Sequence, residues 1–292
     1  MTGIPVSAHG LVHIYRLEGN DVVALSGVDL DVAAGEVVGL LGPSGSGKST
    51  LHNLFAGLLL PSAGRLTVGS HEIARMDERG LARMRAADVG VVLQGAMRNL
   101  LPYATPIDNV RFAQRGARKL IRSSDDEMDA GLLPEPGEVL ELVGLGDHAH
   151  TSLTALSPGQ RQRLAVGVGL AARPGLLLLD EPTSQLDHEG RDEVLAAVSD
   201  INRDLGTTVV AVTHDPDVAQ RLPRTVTIRD GRVGAEGRRG EDFAVVARDG
   251  SLTLPPDVLE RVPPGSLLRV TIVDEDAVRL DRTDKTEQNG AA

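Results

Sequence analysis

A nine-residue stretch, Gly42-Pro43-Ser44-Gly45-Ser46-Gly47-Lys48-Ser49-Thr50, has the residue types and spacing of a loop built to hold phosphate, G-x-x-x-x-G-K-[ST]. Its glycines let the backbone curl until successive N–H groups face one anion. A helix that starts at the loop adds its positive end. Lys48 supplies a cation for the β- and γ-phosphates of ATP, and Ser49 offers a hydroxyl to Mg2+. The candidate nucleotide contacts are Gly42, Ser44, Gly45, Gly47, Lys48, Ser49 and Thr50. The motif needs a strand before it and a helix after it. The apolar run Val37-Val38-Gly39-Leu40-Leu41 and the segment Ser49–Ala56 meet both needs.

A second candidate lies far downstream. Leu176-Leu177-Leu178-Leu179 reads as a buried central strand of a parallel sheet, and it ends in Asp180-Glu181. Adjacent carboxylates at such a strand end are costly without a cation or a proton to handle. In an open α/β sheet, ligands bind at that end of the strands. Asp180 is therefore assigned to the Mg2+ shell, and Glu181 to polarising the water that attacks the γ-phosphate.

Between these motifs, Leu156-Ser157-Pro158-Gly159-Gln160 opens an apolar-rich segment. Locally it is a helix start: Ser157 as N-cap, Pro158 as first helical residue, Gln160 as the reciprocal partner of a capping box. Here the chain resembles the ATP-binding-cassette (ABC) ATPases, whose signature reads close to L-S-G-G-Q. The likeness spans residues 10–235, with the elements in the family's order. It implies that Tyr15 stacks on adenine and that Gln94, following the strand Val89–Leu93, reaches the metal and the reacting phosphate. It implies that Asp187, in Ser184-Gln185-Leu186-Asp187, lies by the nucleotide. His214, after the strand Thr208–Val212, is then the γ-phosphate contact. Ser157, Gly159 and Gln160 would face a nucleotide held by a second cassette. One phosphate loop and one signature in the chain imply pairing with a second cassette, a homodimer or a sister chain. Pro158 departs from the family's glycine and removes one backbone N–H from that surface.

The resemblance is nearest to the lipoprotein-release, macrolide-export and cell-division group, through residues 41–51, 83–94 and 99–110. It implies the ATP-hydrolysing subunit of a bacterial membrane complex. A separate transmembrane permease would be driven to export or extract a hydrophobic or lipid-linked substrate. The alternative is an ATP-driven mechanical regulator of a membrane partner that moves no solute. Across the 292 residues, no stretch approaches the apolar length of a membrane span, and the N-terminus lacks the pattern of a signal peptide. There is no cysteine, so no disulfide or thiolate metal site. The net charge of −11 argues against nucleic acid as a partner. The expected location is cytoplasmic, peripheral on the inner face of the membrane.

The expected fold class is α/β, a P-loop NTPase cassette over residues 1–238 with a helical subdomain over 95–172. Residues 118–137 read as an exposed loop or frayed insert. The pair His148 and His150 lacks companion ligands for a metal. Glu189–Asp204 reads as an amphipathic helix. Residues 241–281 read as a small β-rich dimerisation or regulatory domain, after a linker at Arg238-Arg239-Gly240. Its hairpins are expected at 243–254, turning at Asp249-Gly250, and at 267–280, with a helix at 255–262 between them. That order resembles the AbrB-like swapped-hairpin domains. Residues 241–292 hold 11 acidic and 6 basic side chains, a poor balance for phosphate. Residues 282–292 read as a disordered tail.

Overall fold

The computed structural model describes residues 3–17, 19–123, 133–238, 241–246, 250–252, 254, 256–263, 266–274 and 277–283. The chain begins with β1 (Val6–Leu17), β2 (Asn20–Val32), β3 (Val37–Leu41) and α1 (Lys48–Phe55). Next come β4 (Ala63–Val68), β5 (His71–Glu72), α2 (Glu78–Ala87) and β6 (Val89–Val92). Helices α3 (Pro106–Ala113), α4 (Arg115–Ser123), α5 (Pro136–Leu142) and α6 (Pro158–Leu170) follow. Then the chain alternates through β7 (Leu176–Asp180), α7 (His188–Leu205), β8 (Thr208–Val212), α8 (Pro216–Ala219), β9 (Arg224–Arg229) and β10 (Arg232–Arg238). It closes with β11 (Glu241–Ala244), α9 (Pro256–Arg261), β12 (Leu267–Ile272) and β13 (Val278–Thr283).

The main sheet has the order β11-β10-β9-β3-β8-β7-β6. Strands β9, β3, β8, β7 and β6 run parallel, while β10 and β11 add antiparallel strands at one edge. A second sheet, β2-β1-β4-β5, is antiparallel. The four leucines of β7 are fully buried because both faces of the strand are covered. Leu176 and Leu178 pack in one core with Leu51, Leu54 and Phe55 of α1 and with the antiparallel sheet. Leu177 and Leu179 pack in the other with Leu164 and Val166 of α6 and Val198 and Ile201 of α7. Helix α7 covers the span expected for an amphipathic helix, starts on the Asp187 side chain and ends at Gly206 in the left-handed conformation.

Several expectations need correction. Residues 118–123 and 136–137 are helical, not loop: they belong to α4 and α5. Ala117 is buried, and Arg118 donates to the side-chain carbonyl of Gln114, Oε1, at 2.9 Å, so the start of this segment is held to the end of α3. The acidic stretch at 124–132 lies outside the described residues. Arg238 is no linker residue; it ends β10 and pairs with Glu241 of β11, so the first strand assigned to the C-terminal domain extends the main sheet instead. Of the hairpin expected at 243–254, the described residues show one antiparallel bridge, Val246↔Leu252; residues 247–249 and 253 lie outside the described residues. Of the expected C-terminal unit, the described residues thus show α9, β12 and β13. Arg282 and Thr283 are not tail but the last residues of β13, where they pair with Leu268 and Leu267. The rest of that tail lies outside the described residues.

Arg224 joins three parts of the frame. Its guanidinium donates to Glu236 of β10 at 2.8 Å, to the Asp31 carbonyl of β2 at 2.8 Å, and to Glu36 at 3.1 Å. Burial pushes the Glu236 carboxyl up, but hydrogen bonds from Arg224 and Arg238 outweigh it and hold the group below its ordinary value. A carboxyl depressed in the folded state stabilises the fold above its unfolded pKa and ceases to do so as pH falls through the folded value. The stability gap between wild type and Glu236→Gln should therefore be wide at neutral pH, narrow as pH falls below the ordinary glutamate range, and close once pH passes the lower folded value, in urea titrations. Arg224→Met leaves two carboxylates facing each other and should cost roughly 3 kcal/mol at pH 7 by the same measurement.

Candidate nucleotide site

Parallel strands deliver their C-terminal ends to one edge of the sheet, and this placement builds the site. The phosphate loop leaves β3, Glu181 follows β7, His214 lies two residues past β8, and Gln94 two residues past β6. All reach a cavity of about 490 Å3. Ser44, Gly45, Gly47, Lys48, Ser49 and Thr50 line one side of it; Gln94, Asp180, Glu181 and His214 line the other. Tyr15 of β1 stands at its flank.

The loop owes its shape to glycine at two positions in particular. Gly42 has φ 136°, and a Cβ there would lie 2.1 Å from the Ile228 carbonyl oxygen. Gly45 has φ 78° and meets nothing within 4 Å, so its backbone is open to an incoming group. Gly47, at φ 105°, begins α1 without a side-chain cap. The first N–H groups of that helix are thus presented at the cavity. The Ser46 hydroxyl is buried and has no hydrogen-bond partner among the described residues. An orphaned donor in a glycine-rich cradle fits a phosphate oxygen.

Lys48 is only 7% exposed. Its ammonium donates to the carbonyls of Gly42 and Pro43 at 2.7 and 2.8 Å. Burial pushes its pKa down; the carboxylates of Glu181 and Asp180 act in the opposite direction. Ser49, Asp180 and Gln94 bring a hydroxyl, a carboxylate and an amide oxygen to the same cavity, the hard oxygen set that Mg2+ takes.

Glu181 occupies an unusual conformation for a residue with a side chain, φ 49°. Its N–H donates to the Val212 carbonyl at 3.0 Å, and its backbone carbonyl accepts from the Ser184 hydroxyl at 2.9 Å. The carboxylate is largely buried and accepts from His214 Nδ1 at 2.7 Å, which places the proton on Nδ1 when the glutamate is ionised. The imidazole itself is 69% exposed. A buried carboxylate oriented by an imidazole can draw a proton from water.

The remaining candidates fall elsewhere. Tyr15 OH lies 3.2 Å from Thr50 Oγ1, and its ring meets His13 edge-on at 4.7 Å between centroids. The exposed Val22 and Val23 of β2 line the same flank and extend the apolar platform; alternating strand residues gave no signal for this role. Asp187 caps α7 through the Gly190 N–H at 2.9 Å and does not line the cavity. Ser157, Gly159 and Gln160 are also away from it. The expected capping box is present: Gln160 N donates to Ser157 Oγ at 3.1 Å, and Ser157 N donates to Gln160 Oε1 at 2.8 Å. The Gln160 amide nitrogen then faces His148 Nε2 at 3.0 Å. The histidine considered above only for metal thus buttresses the signature. Among the described residues no cluster suits a metal held by His, Cys, Asp and Glu alone. Pro158 instead lines a separate cleft with Met97, Arg161, Gln162 and Gln185. His52, one turn beyond Lys48, was not a candidate; it is buried near Asp180, and burial lowers its pKa. Its spacing from Lys48 was the available signal.

Residues 25–184 match the ABC transporter family. The chain is 44% identical over 213 residues to the lipoprotein-releasing system ATP-binding protein LolD of Anaeromyxobacter dehalogenans, covering 73% of this chain and 85% of that one. It is 38% identical over 234 residues to the macrolide export ATP-binding/permease protein MacB of Rhodopirellula baltica, covering 80% of this chain but only 33% of that protein. Among solved structures, the ATP-binding cassette MJ0796, in a dimeric post-hydrolysis state bound to ADP and Pi, superposes with a TM-score of 0.67 at 30% identity. That match covers 80% of this chain and 98% of that one. Sequence and fold agree, and the chain belongs to the ABC transporter family and is an ATPase of the ATP-binding-cassette type.

Proposed function

We propose that this chain is the ATP-hydrolysing subunit of a membrane complex, and that it drives a separate permease to extract or export a hydrophobic or lipid-linked substrate. The 44% identity to LolD over 85% of that protein supports the substrate class. Among the described residues no helix is long and apolar enough to cross a membrane, which supports a permease on another chain and a peripheral place on the cytoplasmic face.

The observation that carries the ATPase mechanism is the buried Glu181 carboxylate, 2.7 Å from His214 and in one cavity with Lys48. The α1 N-terminus and the loop N–H groups hold the phosphates of ATP, Lys48 exchanges its loop carbonyls for β- and γ-phosphate oxygens, and Tyr15 takes the adenine. Mg2+, held by Ser49, Asp180 and Gln94, would supply positive charge against the phosphate oxygens. Glu181 accepts the proton of the attacking water, and His214 fixes the carboxylate and reaches the γ-phosphate. Ser157 and Gly159 lie outside the cavity of their own chain, so they serve the nucleotide of a second copy. A dimeric relative supports that pairing. Hydrolysis then reopens the pair, and the loop after Gln94 passes the motion to the permease.

Glu181→Gln should retain ATP binding, trap a nucleotide-bound dimer and lower turnover by about a hundredfold or more. Phosphate release and solution mass check it; near-normal hydrolysis removes Glu181 from the base role. Lys48→Ala should instead weaken ATP affinity itself, read by titration calorimetry. For the complex, the chain should leave the membrane fraction in cells lacking its permease. The purified pair in vesicles should extract a lipidated substrate only with hydrolysable ATP. ATP-driven membrane association without any movement of substrate would favour mechanical regulation instead.

A further inference from the structure

We propose that the β12–β13 hairpin is a docking face for the same hairpin of a second copy of this chain, independent of nucleotide. The observation is a segregation of side chains. In the antiparallel register, Val270 lies opposite Leu280 and Ile272 opposite Val278, and Leu268 shares their face. The opposite face pairs Arg269 with Asp281 and Thr271 with Arg279, and Arg279 donates to Asp281 at 3.1 Å. One face is thus mainly polar along its middle, with Leu267 and Val273 at its two ends, and the other carries a continuous apolar row open to solvent. Val270, Ile272 and Val278 are 65%, 78% and 61% exposed.

An isolated two-stranded sheet is marginal in water and needs a covered face. The longer stretches of sequence outside the described residues are poor in apolar side chains. Residues 284–292 read Asp-Lys-Thr-Glu-Gln-Asn-Gly-Ala-Ala, and 124–132 hold four acids with one methionine and one leucine. Charge selects among outside partners. Residues 266–283 carry three arginines and four acids, so the hairpin is nearly neutral and unsuited to anionic lipid or nucleic acid. The charges are also polarised along it. Arg282 shares the apolar face at one end, while Asp274 follows β12 at the other. A two-fold axis lying between two stacked apolar faces and running across the strands brings the basic end of one copy to the acidic end of the other. A surface that complements itself under two-fold rotation fits a second copy better than an unrelated chain. Two stacked hairpins also form a four-stranded unit, above the size at which small sheets become stable.

The chain has no cysteine, so a single introduced one reports on one face alone. The experiment uses the full chain without nucleotide. Val270→Cys should give disulfide-linked dimers under mild oxidation, and Thr271→Cys, on the polar face, should not. In light scattering, wild type should approach twice the monomer mass as concentration rises. Val270→Glu/Ile272→Glu should weaken that association at least about tenfold, since like charges meet across the axis. ATP affinity of the double variant should match wild type, which reports a folded cassette and separates this result from any failure of the nucleotide site. A wild-type chain that stays monomeric at all concentrations, or equal cross-linking from positions 270 and 271, would overturn the proposal. So would binding of the hairpin to neutral phosphatidylcholine vesicles, or to the permease alone, with no self-association.

Discussion

The structure turns on keeping one ammonium group charged where little water reaches it. Lys48 is nearly buried, and burial pushes its pKa down. Two loop carbonyls and the fields of Asp180 and Glu181 act against that shift. Those carboxylates come from 130 residues further on, and only the sheet order can bring them there. β3 neighbours β8, and β8 neighbours β7, all parallel, so their C-terminal ends share one edge. The continuous leucine run of β7 is the other half of the arrangement. It commits the strand to the interior on both faces, and the first polar residues after it must emerge beside the loop.

Positioning is harder for Glu181 than for Asp180, because the chain has to leave the sheet there without losing the carboxylate. The left-handed backbone makes the turn, and hydrogen bonds to Val212 and from Ser184 hold it. The partner imidazole stands at the mouth, mostly exposed, with the carboxylate behind it. The geometry separates the pair: an anchored carboxylate inside, and an imidazole that reaches outward. The signature has the same economy. Proline at the first turn of α6 costs the helix nothing, since that N–H has no intrahelical partner. The capping box consumes the Gln160 amide oxygen and leaves the Ser157 hydroxyl hydrogen for an outside acceptor.

Local chemistry made most of the cavity legible in the sequence. The loop, Asp180-Glu181 and the capping box each follow from spacing, and each strand or helix they need is present. What escaped depends on contacts between distant segments. Gln160 reaches His148 across a loop, and His52 gains its neighbour Asp180 only through the α1–β7 packing. Residues 118–123 looked like loop because charge dominates them; the helix forms since Ala117 is buried and Arg118 holds Gln114. Arg238 looked like a linker because Arg-Arg-Gly follows a strand. Its pairing with Glu241 is a tertiary choice that keeps β11 on the cassette's sheet. A hairpin pattern in sequence specifies strands, and edge competition decides which strand each one joins.

The proposed division of the site between two chains would make turnover depend on how often two cassettes meet. For free chains that frequency is set by concentration, and closing the pair on ATP must overcome the full loss of translational freedom. Two chains already held by their C-terminal hairpins make closure intramolecular, at an effective concentration in the millimolar range for a short connection. The segment from β11 to β12 would be such a connection, since fewer than twenty-five residues separate Ala244 from Leu267. Nucleotide binding then need supply only the difference between open and closed pairs. Hydrolysis can separate the two nucleotide faces without dispersing the chains, because the apolar hairpin face contains no group that senses the γ-phosphate. The polar, strained and charge-dense part of the molecule would cycle, while the small apolar face at its end keeps the partner within reach.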